Sequence, residues 1–471
     1  MSLLEKLPSE LLHLILARFS RLDPPSTPYQ PYWSPSLKDV KAMLALMRTC
    51  RHLHDSIKPF LYKHIRLELA KTPSLISLLR QLHSDPAYAA AVNTLSLKLD
   101  GRNGRMTAPE DETPEDDTAV CVRPKDEKTL VLPQQDNDFL FDVAKKYGLQ
   151  GEPLHRDLVV GLIILHTQSV RIVSVSGCPS MKLSDALHES LSRIASFPRL
   201  ERLRFDMTSS RDRKYFADTL WFSHLAAGVT DLAITGGRRL QNAPFNWAAI
   251  TRLSLKRCKI TNKEMSEILQ ACVNLQGIVL ERVTAGSPHE HAMELLVRHK
   301  STLRSLKYKE RETRWGHLPS YASALRAFTD MTWLSVHAKC LDGLEDATTW
   351  ALPPTLEVLH MSFARKRPLG YLDWLAAKKS SGELPNLREV FLEESQCLHE
   401  HAPARDVLRE AERGVVSRTP LPRWLSCLDE TDPSSALADA GISCRYVIGD
   451  SGSLFYSRSW AIMVGRDGTL S

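Results

Sequence analysis

A chain of 471 residues with 43% hydrophobic and 25% charged side chains predicts a soluble globular protein, either two or three domains or a short module ahead of a repeat array, and excludes a fibrous or wholly disordered one. Its 61 basic and 55 acidic residues give a formal charge of +6, a small excess over a large surface that does not amount to the concentrated patch of a nucleic-acid binder. The nine cysteines are scattered and never spaced as CxxC. That predicts reduced thiols in a cytoplasmic or nuclear protein, with neither a disulfide framework nor a zinc site.

The opening MSLLEKLPSE lacks the basic head and apolar run of a secretion signal, and no stretch is apolar for long enough to span a membrane. "LPSELLHLILARF" (7–19) sets Leu7, Leu11, Leu12, Ile15, Leu16 and Phe19 at helical spacing, with Pro8 in the first turn and Glu10 near the positive end of the helix dipole. The Pro-rich stretch 23–36 cannot continue a helix. "LKDVKAMLALMRTCRHLHDSIKPFLYKHI" then predicts two more helical segments, with Val40, Met43, Leu44, Met47 and Cys50 on one side and Leu53, Ile57, Phe60 and Leu61 continuing it. Three short helices carry more apolar positions than one small core uses. The surplus is either a docking face or a cap on the rest of the chain.

"LPSELLHLIL", a loop, and "LMRTCRHLHDSIKPFLYKHIRL" together resemble the F-box, in the form found at the start of many fungal F-box proteins, over roughly residues 5–67. The resemblance implies a three-helix domain (1–66, with the loop at 20–38) that docks on the Skp adaptor of an SCF (Skp–cullin–F-box) ubiquitin ligase and, through it, on a cullin. By position, Leu7 and Pro8 match the opening contact, Leu11, Leu12 and Ile15 the first-helix face, and Leu46, Cys50 and Leu53 the second block. The chain departs from the family in its longer loop and in Leu53, where many members have Trp.

Downstream, the figure apolar-x-x-apolar-x-apolar starts at residues 92, 170, 200, 229, 250, 275, 303, 331, 356 and 387. From 170 onward the spacing runs from 21 residues (229 to 250) to 31 (356 to 387), close to the ~20–29 of leucine-rich repeats. The figure suits a short strand whose apolar residues face a core while the alternating ones face outward. Helical patterns fall between the figures, at 261–272, 291–300 and 321–328. The fold class is therefore α/β: the helical domain followed, over 67–471, by a leucine-rich-repeat-like solenoid of parallel strands and helices. An ordinary α/β domain with alternating elements is the other reading. Between the figures at 92 and 170, the acidic, Pro- and Gly-punctuated stretch near 101–135 reads as a disordered insertion, a tether or a regulatory segment, followed by helices at 136–149 and 155–166.

No catalytic constellation emerges. "GDSGS" (449–453) places Ser451 as in a trypsin-like protease, but no matching His segment accompanies it, and a turn is the ordinary reading. The two HEH triplets (289–291 and 399–401) have no third metal ligand at supporting spacing. Neither metal nor cofactor is expected. The outward strand positions include Arg202, Arg204, Asp231, Arg252, Lys256, Glu281, Lys307, Lys309, Trp333, His337, His360, Glu389 and Phe391. Of these, Arg252, Lys256, Lys307, Lys309, Trp333, His337 and Phe391 are the candidate contacts for an acidic or phosphorylated client protein; a solvated sheet face is the alternative. The expected function is a non-catalytic substrate receptor of an SCF-type ligase, the rival being a repeat-based scaffold acting outside it.

Overall fold

The computed structural model describes residues 37–68, 72–98, 132–149, 156–176, 197–206, 228–237, 240, 245–283, 290–309, 324–337, 352–363, 369–395, 433–449 and 460–461. The first predicted helix (7–19), Ser451, the His399–His401 triplet and nearly all of the acidic insertion lie outside them. The chain divides into two compact units, Met1–Val273 and Asn274–Ser471.

The first unit opens with α1 (Leu37–Met47) and α2 (Arg51–Tyr62). The Ala, Leu, Met and Lys of α1 are strong helix formers. Its end is fixed by the Thr49 hydroxyl, which donates to the Leu46 carbonyl at 2.7 Å. Cys50 precedes α2, and its sulfur accepts from the Leu53 amide at 3.5 Å. Leu53 and Ile57, four apart on one face of α2, close with Met43 into a buried core flanked by Leu46, Met47, Cys50, Phe60 and Leu61.

Six parallel strands follow in chain order, each paired with the next: β1 (His64–Glu68), β2 (Thr94–Lys98), β3 (Ile172–Ser176), β4 (Arg202–Asp206), β5 (Asp231–Thr235) and β6 (Arg252–Lys256). Helices α3 (Thr72–Ser84), α4 (Pro86–Ala91), α5 (Gln134–Lys146), α6 (Arg156–His166) and α7 (Asn262–Ala271) lie between or after them. Residues 64–68 thus form a strand rather than the end of the preceding helix, and α5 begins inside the last residues assigned to the insertion. The core is made of inward pairs such as Leu95 and Leu97, Val173 and Val175, Leu203 and Phe205, Leu232 and Ile234, and Leu253 and Leu255. It also takes Leu75, Ile76, Leu79 and Leu82 of α3 and the whole run Leu158–Leu165 of α6, which is apolar all round because it is covered all round.

The second unit repeats the plan with β7 (Gly277–Glu281), β8 (Ser305–Lys309), β9 (Trp333–His337), β10 (Val358–Phe363), β11 (Glu389–Ser395) and β12 (Ser443–Gly449), all parallel, and a short antiparallel β13 (Trp460–Ala461) against β12. Its helices are α8 (Glu290–Val297), α9 (Leu369–Ser380) and α10 (Pro433–Asp439).

A single hydrogen-bond device recurs through both units. At most strand entries one carbonyl ahead of a strand accepts two amides from the start of the next: Lys63 from Asn93 and Thr94, Asn93 from Arg171 and Ile172, Arg171 from Glu201 and Arg202, Glu201 from Thr230 and Asp231, and Thr230 from Thr251 and Arg252. In the second unit Gln276, Arg304, Thr332 and Glu357 do the same. These bonds bring the entry to each strand level with its neighbour, which sets the register that the apolar figure requires. None of the described helices is long and apolar enough to cross a membrane.

The capping box of α7 allows a local test. The Thr261 hydroxyl accepts from the Glu264 amide at 3.2 Å while the Glu264 carboxylate accepts from the Thr261 amide at 2.7 Å. Thr261→Ala is expected to lower stability by ~1 kcal/mol, read as a shift of the urea midpoint at unchanged slope.

Candidate partner interface

Perfect strand register lines the outward side chains into rungs. In the first unit one rung runs Ile172, Arg202, Asp231, Arg252; the next Ser174, Arg204, Ala233, Ser254; the third Ser176, Asp206, Thr235, Lys256. In the second unit the middle rung carries Lys307, Ser335, His360 and Phe391, since Lys307 pairs with Ser335, Ser335 with His360, and His360 with Phe391. Of the seven candidate client contacts, Arg252 and Lys256 therefore stand on the first unit, and Lys307, Lys309, Trp333, His337 and Phe391 on the second. Arg252 is exposed and Lys256, Lys307, Lys309 and Phe391 are half-buried, whereas Trp333 is only 9% exposed. His337 ends β9, and its side chain lies outside the described part.

The second-unit rungs are tied together laterally. Lys309 Nζ lies 3.1 Å from Glu393 Oε1, His360 Nε2 lies 3.4 Å from Glu393 Oε2, and Ser335 Oγ lies 3.0 Å from His360 Nδ1. With Glu393 ionised, His360 places its ring proton on Nε2 toward the carboxylate, and Nδ1 accepts from the Ser335 hydroxyl. Phe391 meets the imidazole edge to face, with ring centroids 6.2 Å apart. Burial is the largest single influence on the Glu393 carboxyl and pushes it up, but the charges of Lys309, His360 and Lys307 together with the Lys309 hydrogen bond outweigh it and hold the group below the usual carboxylate range. Burial drives His360 down to about 4, against the opposing pull of Glu393 and with help from Lys307 and Lys309. Lys309 therefore meets the solvent already neutralised, and the sequence reading of it as an open cation for an acidic client has a counter-charge to displace. A Ser–His–Glu connectivity is also that of a nucleophile relay, but Ser335 is 5% exposed and its strand's amides face neighbouring strands in the ladder. The geometry suits a structural network.

On the first unit Arg202 and Asp231 form a close ion pair across β4 and β5, with side chains 9% and 17% exposed. Arg204, Arg252 and Lys256 stand around it. The floor between them is small: Ser174, Ala233 and Ser254 occupy the rest of the central rung.

Of the candidate adaptor contacts, Leu7, Pro8, Leu11, Leu12 and Ile15 lie outside the described residues. Leu46 and Cys50 are half-buried beside the α1–α2 core. Leu53 is 1% exposed, so its side chain holds the two helices together rather than facing a partner. Leu44, which periodicity sets on the same side as Met43 and Met47, is instead 42% exposed. It is an apolar group presented to the surface by the helix pair.

Among the described residues no group of three or more His, Cys, Asp or Glu could hold a metal ion. Burial raises the thiols of Cys258 and Cys272 to about 11 and about 12, so neither is a nucleophile near neutrality. No family model matches the chain, and no curated protein is significantly similar to it.

The depressed His360 gives a signed prediction. Between its folded value of about 4 and its ordinary 6.5, the unfolded chain binds a proton that the folded chain does not, so stability is fully present above 6.5 and falls as pH drops toward 4. The span is worth ~3 kcal/mol. His64, also held at about 4 by burial, acts in the same direction in the first unit. Urea midpoints measured from pH 7.5 to 4.5 are expected to fall, and to fall less in His360→Gln. A flat profile would contradict the buried neutral imidazole.

Proposed function

We propose that the chain is the substrate-recognition subunit of an SCF-type ubiquitin ligase, with the N-terminal helices as an F-box that docks on the Skp adaptor and the parallel strands as a leucine-rich-repeat-like solenoid that holds the client. The observation that carries this reading is the pairing of a small helical module, Leu44 exposed on it, with strands whose outward residues stand in continuous rungs. Such a subunit works by placement: holding a client lysine near a ubiquitin-loaded enzyme raises its effective concentration without chemistry of its own. Strands in chain order within each unit, nine of them entered through the same paired hydrogen bond, are what stacking repeats require.

Co-precipitation of the full chain with the Skp adaptor tests the docking half. Leu44→Asp is expected to leave the urea midpoint within ~0.5 kcal/mol while weakening adaptor capture about tenfold, the loss of one partly buried leucine anchor. Leu7→Ala, Pro8→Ala and Ile15→Ala are expected to act in the same direction. Capture undiminished in all four variants would leave the rival reading, a repeat scaffold outside the ligase.

A further inference from the structure

Helix α5 is held on the first unit by one side and carries a patterned stripe on the other. Leu140, Val143 and Ala144 are buried. Asp136 binds the Arg80 guanidinium of α3 at 2.6 Å, and the same guanidinium donates to the Gln135 carbonyl at 3.2 Å and lies 5.0 Å from the Phe139 ring centroid. These contacts fix the helix in rotation. Spacings of three and four residues then put Gln134, Asp138, Phe141 and Lys145 on one outward stripe, all of them exposed. Phe141 is 54% exposed, the one aromatic ring among the described large apolar side chains that face solvent. The Gln134 amide donates to the Asp138 carboxylate at 2.7 Å, which steadies that side chain and leaves it an acceptor. Lys145 has no ion-pair partner among the described residues.

We infer that this stripe is a self-association face, on which a second copy of the chain packs its own α5 antiparallel about a two-fold axis at Phe141. A two-fold contact joins a surface to itself, so the stripe must complement its own reverse. It does. With Phe141 set against Phe141, the residue three before it and the residue four after it come level across the axis, so Asp138 of each copy meets Lys145 of the other and two ion pairs flank an aromatic pair. A parallel arrangement would put Asp138 against Asp138 and Lys145 against Lys145. The mixed charge also sets this occupant apart from others. A uniformly acidic or uniformly basic segment meets a like charge at one end of the stripe, and an anionic lipid surface meets Asp138 and Asp142 beside the ring. One helix of thirteen residues offers a small contact, of the size found in weak, transient assemblies, and a Kd of about 10–100 µM is expected. Self-association on α5 uses neither the α1–α2 pair nor the outward rungs, so it stands whether or not the chain is a ligase subunit.

Sedimentation equilibrium of the full chain from about 1 to about 500 µM tests this, with the unfolding midpoint of every variant checked. The unaltered chain is expected to pass from monomer to dimer and no further, because a two-fold contact closes. Phe141→Ser is expected to weaken the dimer about tenfold or more. Asp138→Lys alone and Lys145→Glu alone are each expected to weaken it about threefold or more, since each substitution acts at both ion pairs. The double exchange Asp138→Lys/Lys145→Glu keeps the pattern with its signs reversed and is expected to return to within about threefold of the unaltered chain. An equimolar mixture of the two single variants is expected to associate more tightly than either alone. That mixture and Phe141→Ser keep the test readable if the double exchange unsettles α5 through its dipole. A chain that stays monomeric over the whole range, a dimer that Phe141→Ser leaves intact, or a double exchange that associates no better than the single ones at an unchanged midpoint would overturn the assignment. So would Phe141-dependent flotation of a monomeric chain with phosphatidylserine vesicles, which would give the stripe to a lipid surface.

Discussion

Glu393→Gln is expected to lower the unfolding free energy of the second unit by ~3–5 kcal/mol, the largest effect of any single substitution on the strand face. The carboxylate and the Lys309 ammonium that it holds are 15% and 18% exposed. An amide keeps the shape of the side chain but removes its charge, so Lys309 is left covered without a counter-ion, and the single amide oxygen cannot accept from both Lys309 and His360 as the two carboxylate oxygens do. The same principle makes the double replacement Lys309→Met/Glu393→Leu much milder, because two apolar side chains need no partner. Urea unfolding followed by tryptophan fluorescence measures both. A Glu393→Gln shift below ~0.5 kcal/mol would mean that water screens the pair far more than its burial implies.

Phe205→Ala is expected to cost ~3–5 kcal/mol in the first unit. Its ring is 2% exposed, points inward from β4 between Val175 of β3 and Ile234 of β5 in register, and lies 6.2 Å from the ring of Phe245. The cavity left by a phenyl group cannot be filled by five-residue strands whose entries are fixed by paired hydrogen bonds. Hydrogen exchange should speed up first at the amides of β3, β4 and β5, since each strand leans on its immediate neighbours. Arg252→Ala, exposed at the start of β6, is the matched control and should stay within ~0.5 kcal/mol.

The strand figure was legible because its three apolar positions answer to three separate burial requirements. At the figure that starts at Leu200, for example, Leu200, Leu203 and Phe205 are all buried, and all ten figures form strands, β2 to β11. The first and last parallel strands escaped notice for compositional reasons. β1 carries the figure as Tyr62, Ile65 and Leu67, with its first member still inside α2, so helical periodicity masks it. β12 puts Gly441, Cys444 and Tyr446 in those places, which is too weak a pattern to notice. Helices α3 and α9 were readable in principle, since Leu75, Ile76, Leu79 and Leu82 recur at helical spacing. The lateral network was not readable: Lys309 and Glu393 are 84 residues apart in sequence, and only the register of four strands brings them together. Periodicity likewise grouped Leu44 with Met43, while the F-box resemblance, by position, offered Leu53 as a contact. A helical repeat identifies an apolar face but does not show where along its width the neighbouring helix sits.

The central claim is that the N-terminal helices are a docking module for the Skp adaptor. Calorimetric titration of the purified full chain with the purified adaptor tests it. The proposal predicts a one-to-one complex with a Kd of about micromolar or tighter, lost together with the heat signal when Leu7, Pro8 and Leu44 are replaced in one chain that still unfolds at its normal midpoint. Absence of binding up to about millimolar adaptor, or binding that the triple variant leaves intact, would contradict it.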